Sequence, residues 1–119
     1  MSFPAQFNLS DLDGSNGFAL NGIDAGARSG FSVSSAGDIN GDGLDDLIIG
    51  AYYADPNGSQ SGASYVVFGS DAPFSAAVEL SSLDGSNGFV LNGITESDIS
   101  GRSVRGEGDI NGDGLDDLI

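Results

Sequence analysis

An internal repeat constrains this chain more than any other feature of its sequence. The string LDGSNGF occurs at 12–18 and again at 83–89, and GDINGDGLDDLI occurs at 37–48 and again at 108–119. Both offsets are 71 residues, and a gapless alignment of 1–48 with 72–119 gives 31 identical positions out of 48. A duplication of this strength predicts a repeat architecture, in which each unit packs against its neighbours.

The charged and reactive residues exclude several functional classes. Acidic residues outnumber basic ones 18 to 3, which gives a net charge of −15, and the chain has neither His nor Cys. Because three cations are too few to neutralise phosphate groups, nucleic acid and anionic membranes are poor partners. Disulfides, zinc–thiolate sites and Ser–His–Asp or Cys–His catalysis cannot be built from these residues.

Short strands between turns account for the rest of the pattern. Apolar runs that are rich in β-formers alternate with segments rich in Gly, Ser, Asp and Asn, which favours an all-β chain over disorder. No stretch approaches the ~20 apolar residues of a membrane-spanning helix. We predict strands at Phe18–Gly22, Phe31–Ala36, Asp45–Ala51, Ala63–Gly69 and Phe89–Gly93, with a short irregular or strand piece within Phe74–Leu83.

Four antiparallel strands per repeat of this length are typical of a β-propeller blade. On this interpretation residues 1–30 hold the outer strand of a preceding blade and a linker, and 31–93 form a complete blade. Residues 94–119 then begin the next blade, which is truncated within its second strand. We therefore expect an incomplete propeller. It is either a fragment of a longer repeat protein or a piece that completes itself by association. Association is conceivable because 119/71 is close to 5/3, so that three chains would approximate five blades.

The strongest chemical signal is the acidic segment DINGDGLDD, at 38–46 and again at 109–117. Alternate side chains converge when the backbone curls tightly, and Gly at the sixth position permits that curl. The side chains at positions one, three, five and nine and the backbone carbonyl at position seven would supply oxygen ligands. These residues are Asp38, Asn40, Asp42, Leu44 and Asp46 in the first loop, and Asp109, Asn111, Asp113, Leu115 and Asp117 in the second.

Hard oxygen donors of this kind select Ca²⁺ over zinc or copper, so we predict about one Ca²⁺ per loop. The alternative is a turn rich in Asp and Asn that binds no metal. An EF-hand is disfavoured because its twelfth position would be Ile49 rather than Glu. Asp45, at position eight, is expected to point away and to be solvated or to cap backbone groups.

Together these residues resemble the FG-GAP repeat of integrin α-subunit β-propellers, and we expect a bacterial-type relative of that family. The resemblance rests on Gly30–Val33 (GFSV), the loop at 38–46 and Gly50–Ala51. Ser29 and Ser100 stand where the family motif has Phe, and Tyr52 stands where it has Pro. In the second copy Arg102 replaces the apolar Phe31, which bears on how the later blade packs.

The resemblance implies a structural Ca²⁺ in the hairpin between the first two strands of each blade. It implies that partners are further blades and an extracellular protein or glycan on the opposite face, at loops 52–62 and 94–101. The expected function is a non-enzymatic adhesion or interaction module of a secreted or cell-surface protein. The alternative is an accessory propeller of an extracellular hydrolase whose catalytic domain lies elsewhere.

The remaining signals are weaker. Three tyrosines, Tyr52, Tyr53 and Tyr65, could form a platform for sugars, but ordinary packing is the favoured interpretation. The three cations, Arg28, Arg102 and Arg105, are expected to pair with neighbouring Asp residues.

Overall fold

The computed structural model describes residues 4–119. Within that range the regular elements are short strands and two 3₁₀ turns, as the abundance of turn-forming residues predicts. The strands are β1 (Ala19–Asn21), β2 (Ser32–Gly37), β3 (Asp46–Ala51), β4 (Ala63–Val67), β5 (Ala77–Glu79), β6 (Gly88–Asn92), β7 (Gly106–Gly108) and β8 (Asp117–Leu118), and the 3₁₀ turns are Leu9–Asp11 and Leu80–Ser82. The all-β prediction is confirmed.

The centre of the molecule is a four-stranded antiparallel sheet in the order β2-β3-β4-β6. One cross-strand row runs through Val33, Ile49, Tyr65 and Val90, and this register places all four side chains on the same face. The predicted strands agree with the observed ones to within one or two residues. The sheet has the form of a propeller blade.

The two central strands of this sheet, β3 and β4, are covered on both faces, and each face is covered by a different part of the chain. On one face Ile49 and Tyr65 pack with Leu80, and the half-buried Leu20 of β1 joins them. On the other face Ile48 and Val66 pack with Val104 and with Leu118 of β8. Full burial of each large aliphatic side chain contributes about 1.5–3 kcal/mol, so the sheet is stabilised by elements from before and after it in the sequence.

Two smaller sheets flank the central one. Strands β7 and β8 pair in an antiparallel manner, as their counterparts β2 and β3 do one repeat earlier. Strand β5 lies within the segment Phe74–Leu83, where a short irregular or strand piece was predicted. It pairs in parallel with β1, a pairing that the sequence did not predict.

Because the strands are antiparallel, successive connecting loops lie at opposite ends of the sheet. The loop 38–45 joins β2 to β3 at one end, and the connection 68–87 returns to that same end. The loops 52–62 and 94–101 lie at the other end, where Ser97 N–H donates to the Ser59 carbonyl at 2.9 Å and Ser100 N–H donates to Ser61 at 3.1 Å. The acidic loop is therefore separated from these two neighbouring loops by the length of the sheet.

The difference between Phe31 and Arg102 has little consequence for the core. Phe31 is 61% exposed, although its ring makes an edge contact with Tyr52 at a centroid distance of 4.8 Å. Because the position is already at the surface, an arginine at the equivalent position removes little buried apolar area.

None of the helical segments in residues 4–119 is long and apolar enough to cross a bilayer.

Candidate functional site

The first acidic loop is organised by Asp38, which follows directly after β2. Its Oδ1 accepts the backbone N–H groups of Gly41 at 2.7 Å and Asp42 at 3.0 Å, and its Oδ2 accepts that of Gly43 at 2.8 Å. Gly43 has a φ of +86°, a conformation that a residue with a Cβ adopts only with strain. Gly41, with a φ of +78°, has the same kind of conformation, so one carboxylate and two glycines produce the tight curl that the sequence predicts.

Asn40 and Asp42 continue the curl on the exposed side of the loop. The Asn40 side-chain oxygen accepts the Asp42 N–H at 3.3 Å, and the Asp42 Oδ1 accepts the Leu44 N–H at 2.9 Å. The Asn40 amide also donates to the second Asp42 oxygen at 3.3 Å. Each polar side chain therefore satisfies a backbone donor ahead of it, as residues of this type do in turns.

Asp46 closes the loop at its base and differs from the other acids in its burial. Its exposure is 0%, and it occupies the first position of β3. Its Oδ2 accepts the Ile39 N–H and its Oδ1 accepts the Gly69 N–H, both at 2.8 Å. A buried carboxylate is tolerated only when its oxygens are paired in this way.

The second acidic loop repeats this bonding pattern. Asp109 accepts the N–H groups of Gly112, Asp113 and Gly114 at 2.7, 3.0 and 2.8 Å. Asp113 in turn accepts the Leu115 N–H at 2.9 Å, and Asn111 accepts that of Asp113 at 3.0 Å. Asp117 accepts the Ile110 N–H at 2.7 Å, as Asp46 does from Ile39. The same sequence thus folds in the same way at two places.

The two loops also contact each other through a residue that was not assigned a role in the site. The Asp38 N–H donates to Oδ2 of Asp116 at 2.8 Å, and the Asp116 N–H donates to the Asp38 carbonyl at 3.2 Å. Asp116 is the counterpart of Asp45, which is exposed. The residue at the eighth position of one loop therefore bonds to the residue at the first position of the preceding loop. The signal that could have identified Asp116 is the stacking of successive repeats, which brings the two loops together.

The donor set has the chemistry that a hard divalent cation requires, because it consists of carboxylate, amide and backbone oxygens. Oδ1 of Asp38 already accepts two N–H groups, but Oδ2 of Asp38 and Oδ1 of Asp42 each accept one and retain a second lone pair for a cation. In the described residues, however, no group of three or more acidic, His or Cys side chains is gathered closely enough to hold an ion. The structure brings the predicted ligands into one curled loop in each repeat but does not converge their side chains on one point.

The opposite end of the sheet has a different chemical character. Arg28, with a φ of +57°, donates to the Tyr52 hydroxyl at 2.8 Å, and its guanidinium lies 4.5 Å from the centroid of the Tyr53 ring. The expectation that this arginine pairs with an Asp is therefore wrong, because two aromatic rings hold it instead. Arg105 pairs with a carboxylate, that of Glu107.

Two adjoining cavities, of about 280 and 340 Å³, lie beside these tyrosines and share Asp24 and Asp55 in their walls. Tyr65 lines the larger cavity. Burial raises the pKa of its hydroxyl, and the negative charge of Asp24 adds to the effect.

Residues 29–67 match the family model of the FG-GAP repeat. This chain carries an integrin α-like FG-GAP repeat. The matched residues cover β2, the first acidic loop, β3 and β4, and the family implies that the four-stranded sheet is a blade of a β-propeller.

Curated relatives extend the similarity beyond that segment. The chain is 36% identical to integrin alpha pat-2 of Caenorhabditis elegans over 100 residues, which are 84% of this chain and 8% of that protein. It is 35% identical to integrin alpha-2 of Mus musculus over 92 residues, which are 77% of this chain and 7% of the relative. The chain thus spans less than a tenth of these relatives. Both relatives are animal proteins and give no support to the expected bacterial type.

Proposed function

We propose that this chain is a calcium-binding FG-GAP segment of a β-propeller in a secreted or cell-surface protein, where it serves as a non-enzymatic adhesion or interaction module. The observation that carries the proposal is the repeated acidic loop, which has one backbone bonding pattern in two successive repeats. The same hydrogen-bonding pattern forms wherever the acidic sequence occurs, which indicates that the sequence specifies this loop conformation.

Calcium is proposed as a structural ion, with one site in each loop. The ligands in the first loop are Asp38, Asn40, Asp42, Asp46 and the carbonyl of Leu44, and in the second they are Asp109, Asn111, Asp113, Asp117 and the carbonyl of Leu115. Carboxylates that approach to ~4 Å around a shared ion would repel by roughly 4 kcal/mol at an effective dielectric constant of 20, and the divalent cation would offset that cost. Bound calcium would hold the curl that the hydrogen bonds of Asp38 and Asp109 already define.

We further propose that residues 31–93 are one complete blade, preceded in 1–30 by the outer strand of another blade and followed in 94–119 by the start of a third. The four-stranded sheet and its two covered faces support this division. The partners would then be further blades of the same propeller, together with an extracellular protein or glycan at loops 52–62 and 94–101. The adjacency of these two loops supports a shared binding surface there.

Calorimetric titration of the 119-residue chain with CaCl₂ tests the metal sites. We expect two Ca²⁺ per chain, one after Asp42→Ala, and two after the matched exchange Asp45→Ala, which removes an exposed acid outside the proposed ligand set. At a free calcium concentration 100 times the dissociation constant, each bound ion should add about 2.7 kcal/mol to the free energy of unfolding. The absence of binding heat and of any change in melting temperature would show the loops to be ordinary turns.

A further inference from the structure

The parallel pairing of β5 with β1 joins residues almost sixty positions apart in the sequence. Ala19, Leu20 and Asn21 lie opposite Ala77, Val78 and Glu79. The Ala19 N–H donates to the Ala76 carbonyl and the Asn21 amide donates to the Glu79 carboxylate, both at 2.9 Å. Just before the strands, the rings of Phe18 and Phe74 stack with their centroids 4.2 Å apart. This interface has main-chain bonds, a charge-assisted side-chain bond and an aromatic anchor.

The 71-residue offset makes β6 the counterpart of β1. The receiving residues Phe18–Asn21 read FALN, and their counterparts Phe89–Asn92 read FVLN. In the described part of the chain β6 is an edge strand, with β4 as its one neighbour. Leu91 is 43% exposed and Val90 is 38% exposed. A sheet edge with exposed apolar side chains is a template for pairing with another extended segment.

The turn before each of these strands gives an independent indication. Gly14 and Gly85 occupy the same place in the turn, with φ values of +93° and +94°. A Cβ on Gly14 would overlap the Phe74 carbonyl oxygen, because the segment that leads into β5 lies directly against this turn. A Cβ on Gly85 would meet nothing within 4 Å. Among the described residues, the second turn therefore has the same shape as the first and is open where Phe74 covers the first.

The leucine after β5 shows what this pairing does for the segment itself. Leu80 is 1% exposed and belongs to the core on one face of the central sheet. Its counterpart Leu9 begins the same kind of 3₁₀ turn but is 79% exposed. The 3₁₀ turn thus forms in both repeats. The leucine is buried only in the copy whose preceding strand, β5, is paired with β1.

We propose that β6 and the turn 84–88 form a docking surface for an extended segment of the β5 type, paired in parallel and supplied by a following repeat of the same proposed propeller, not by a second copy of this chain. The occupant has the chemistry of residues 74–79: an aromatic residue at its start, small residues along the strand, an apolar residue opposite Leu91 and an acid opposite Asn92. The pair β1 and β5 is the template, since the same molecule holds this occupant on the equivalent strand. The outer strands of successive repeats are thereby linked to the following unit, a connection that face-to-face packing of blades does not require. The proposal does not depend on calcium.

A synthetic peptide with the sequence of residues 72–83, acetylated and amidated, can be added to the ¹⁵N-labelled 119-residue chain. We expect amide shifts across 84–92 and slower hydrogen exchange at the Val90 N–H, the counterpart of the Ala19 N–H. The peptide with Val78→Pro, which loses a strand donor, should cause no shifts. The titration is run with EDTA and with CaCl₂, so that its outcome is separable from that of the calcium proposal.

Matched chain variants place the peptide on the proposed strand. Asn92→Asp sets a carboxylate against the acid of the peptide and should weaken binding about tenfold, since a bond to a charged group is lost. Asn21→Asp makes the same change on β1 and should leave the new shifts in place. The proposal is wrong if millimolar peptide causes no shifts, or if the shifts fall only at 13–21, where the peptide would replace the chain's own β5. It is also wrong if the same shifts arise from self-association without peptide, because a second copy would then be the occupant.

Discussion

Asp46 and Gly69 are joined by a hydrogen bond of 2.8 Å between the Gly69 N–H and a carboxylate whose residue is completely buried. The other oxygen of Asp46 accepts the Ile39 N–H within the acidic loop. One side chain therefore connects the loop, the start of β3 and the segment that follows β4. The last position of the proposed calcium loop is also a structural centre of the sheet.

Replacing Asp46 with Ala should lower the free energy of unfolding by about 2–4 kcal/mol even without calcium, because two partly buried N–H donors lose their acceptors. Urea denaturation in EDTA measures the change. The matched exchange is Asp117→Ala, at the same position of the second loop, where the residue is only half buried. A smaller loss is expected there, and equal losses in the two variants would contradict the role assigned to burial.

The contact between the two loops makes a second prediction possible. Asp116→Ala removes the acceptor of the Asp38 N–H, which is partly buried, and should cost about 1–2 kcal/mol. Hydrogen exchange at the Asp38 amide should accelerate in the same variant. Asp45→Ala is the control, because that residue holds the same position in the first loop and is exposed. Unchanged exchange at Asp38 after Asp116→Ala would show that the loops do not support each other in solution.

The turns at 13–17 and 84–88 predict a pH effect. Hydrogen bonds from the Ser15 hydroxyl, then from the backbone N–H groups of Ser15 and Asn16, lower the pKa of Asp13 below its ordinary value of 3.8. A carboxyl with a lowered folded-state pKa stabilises the fold above its unfolded pKa, and this contribution is lost as the pH falls through the folded value. The relevant window therefore lies at and below about pH 4.

Carboxyl ¹³C titration by NMR checks this effect. Ser15→Ala should raise the pKa of Asp13 toward the ordinary value because the largest cause of the shift is removed. Asp84, whose pKa is lowered by the equivalent Ser86 hydroxyl, is the control within the same molecule and should not change. A rise at both carboxyls would indicate a general loss of structure instead of the loss of one hydrogen bond.

Local patterns predicted the fold well because they report on local forces. The apolar alternation and the Gly-rich turns located the strands, and the spacing of Asp38, Asn40 and Asp42 predicted the curl of the loop. Contacts between repeats were not predictable in this way. The parallel pairing of β5 and the hydrogen bond from Asp38 to Asp116 both join residues far apart in sequence, and no local sequence pattern indicates either of them. The prediction that Arg28 pairs with an Asp was wrong for a related reason, since its aromatic partners at 52 and 53 come into reach only after folding.

The close approach of Gly50 and Gly101 supports a final prediction about packing between repeats. Gly50 lies within β3, and a Cβ at this position would overlap the carbonyl oxygen of Gly101. Because backbone cannot move aside as a flexible side chain can, Gly50→Ala should destabilise the chain by about 1–3 kcal/mol. Gly26→Ala is the matched control, since a Cβ there meets nothing within 4 Å. Urea midpoints should fall for Gly50→Ala and stay within error for Gly26→Ala. If both midpoints were unchanged, the segment around Gly101 would not be packed against β3 in solution.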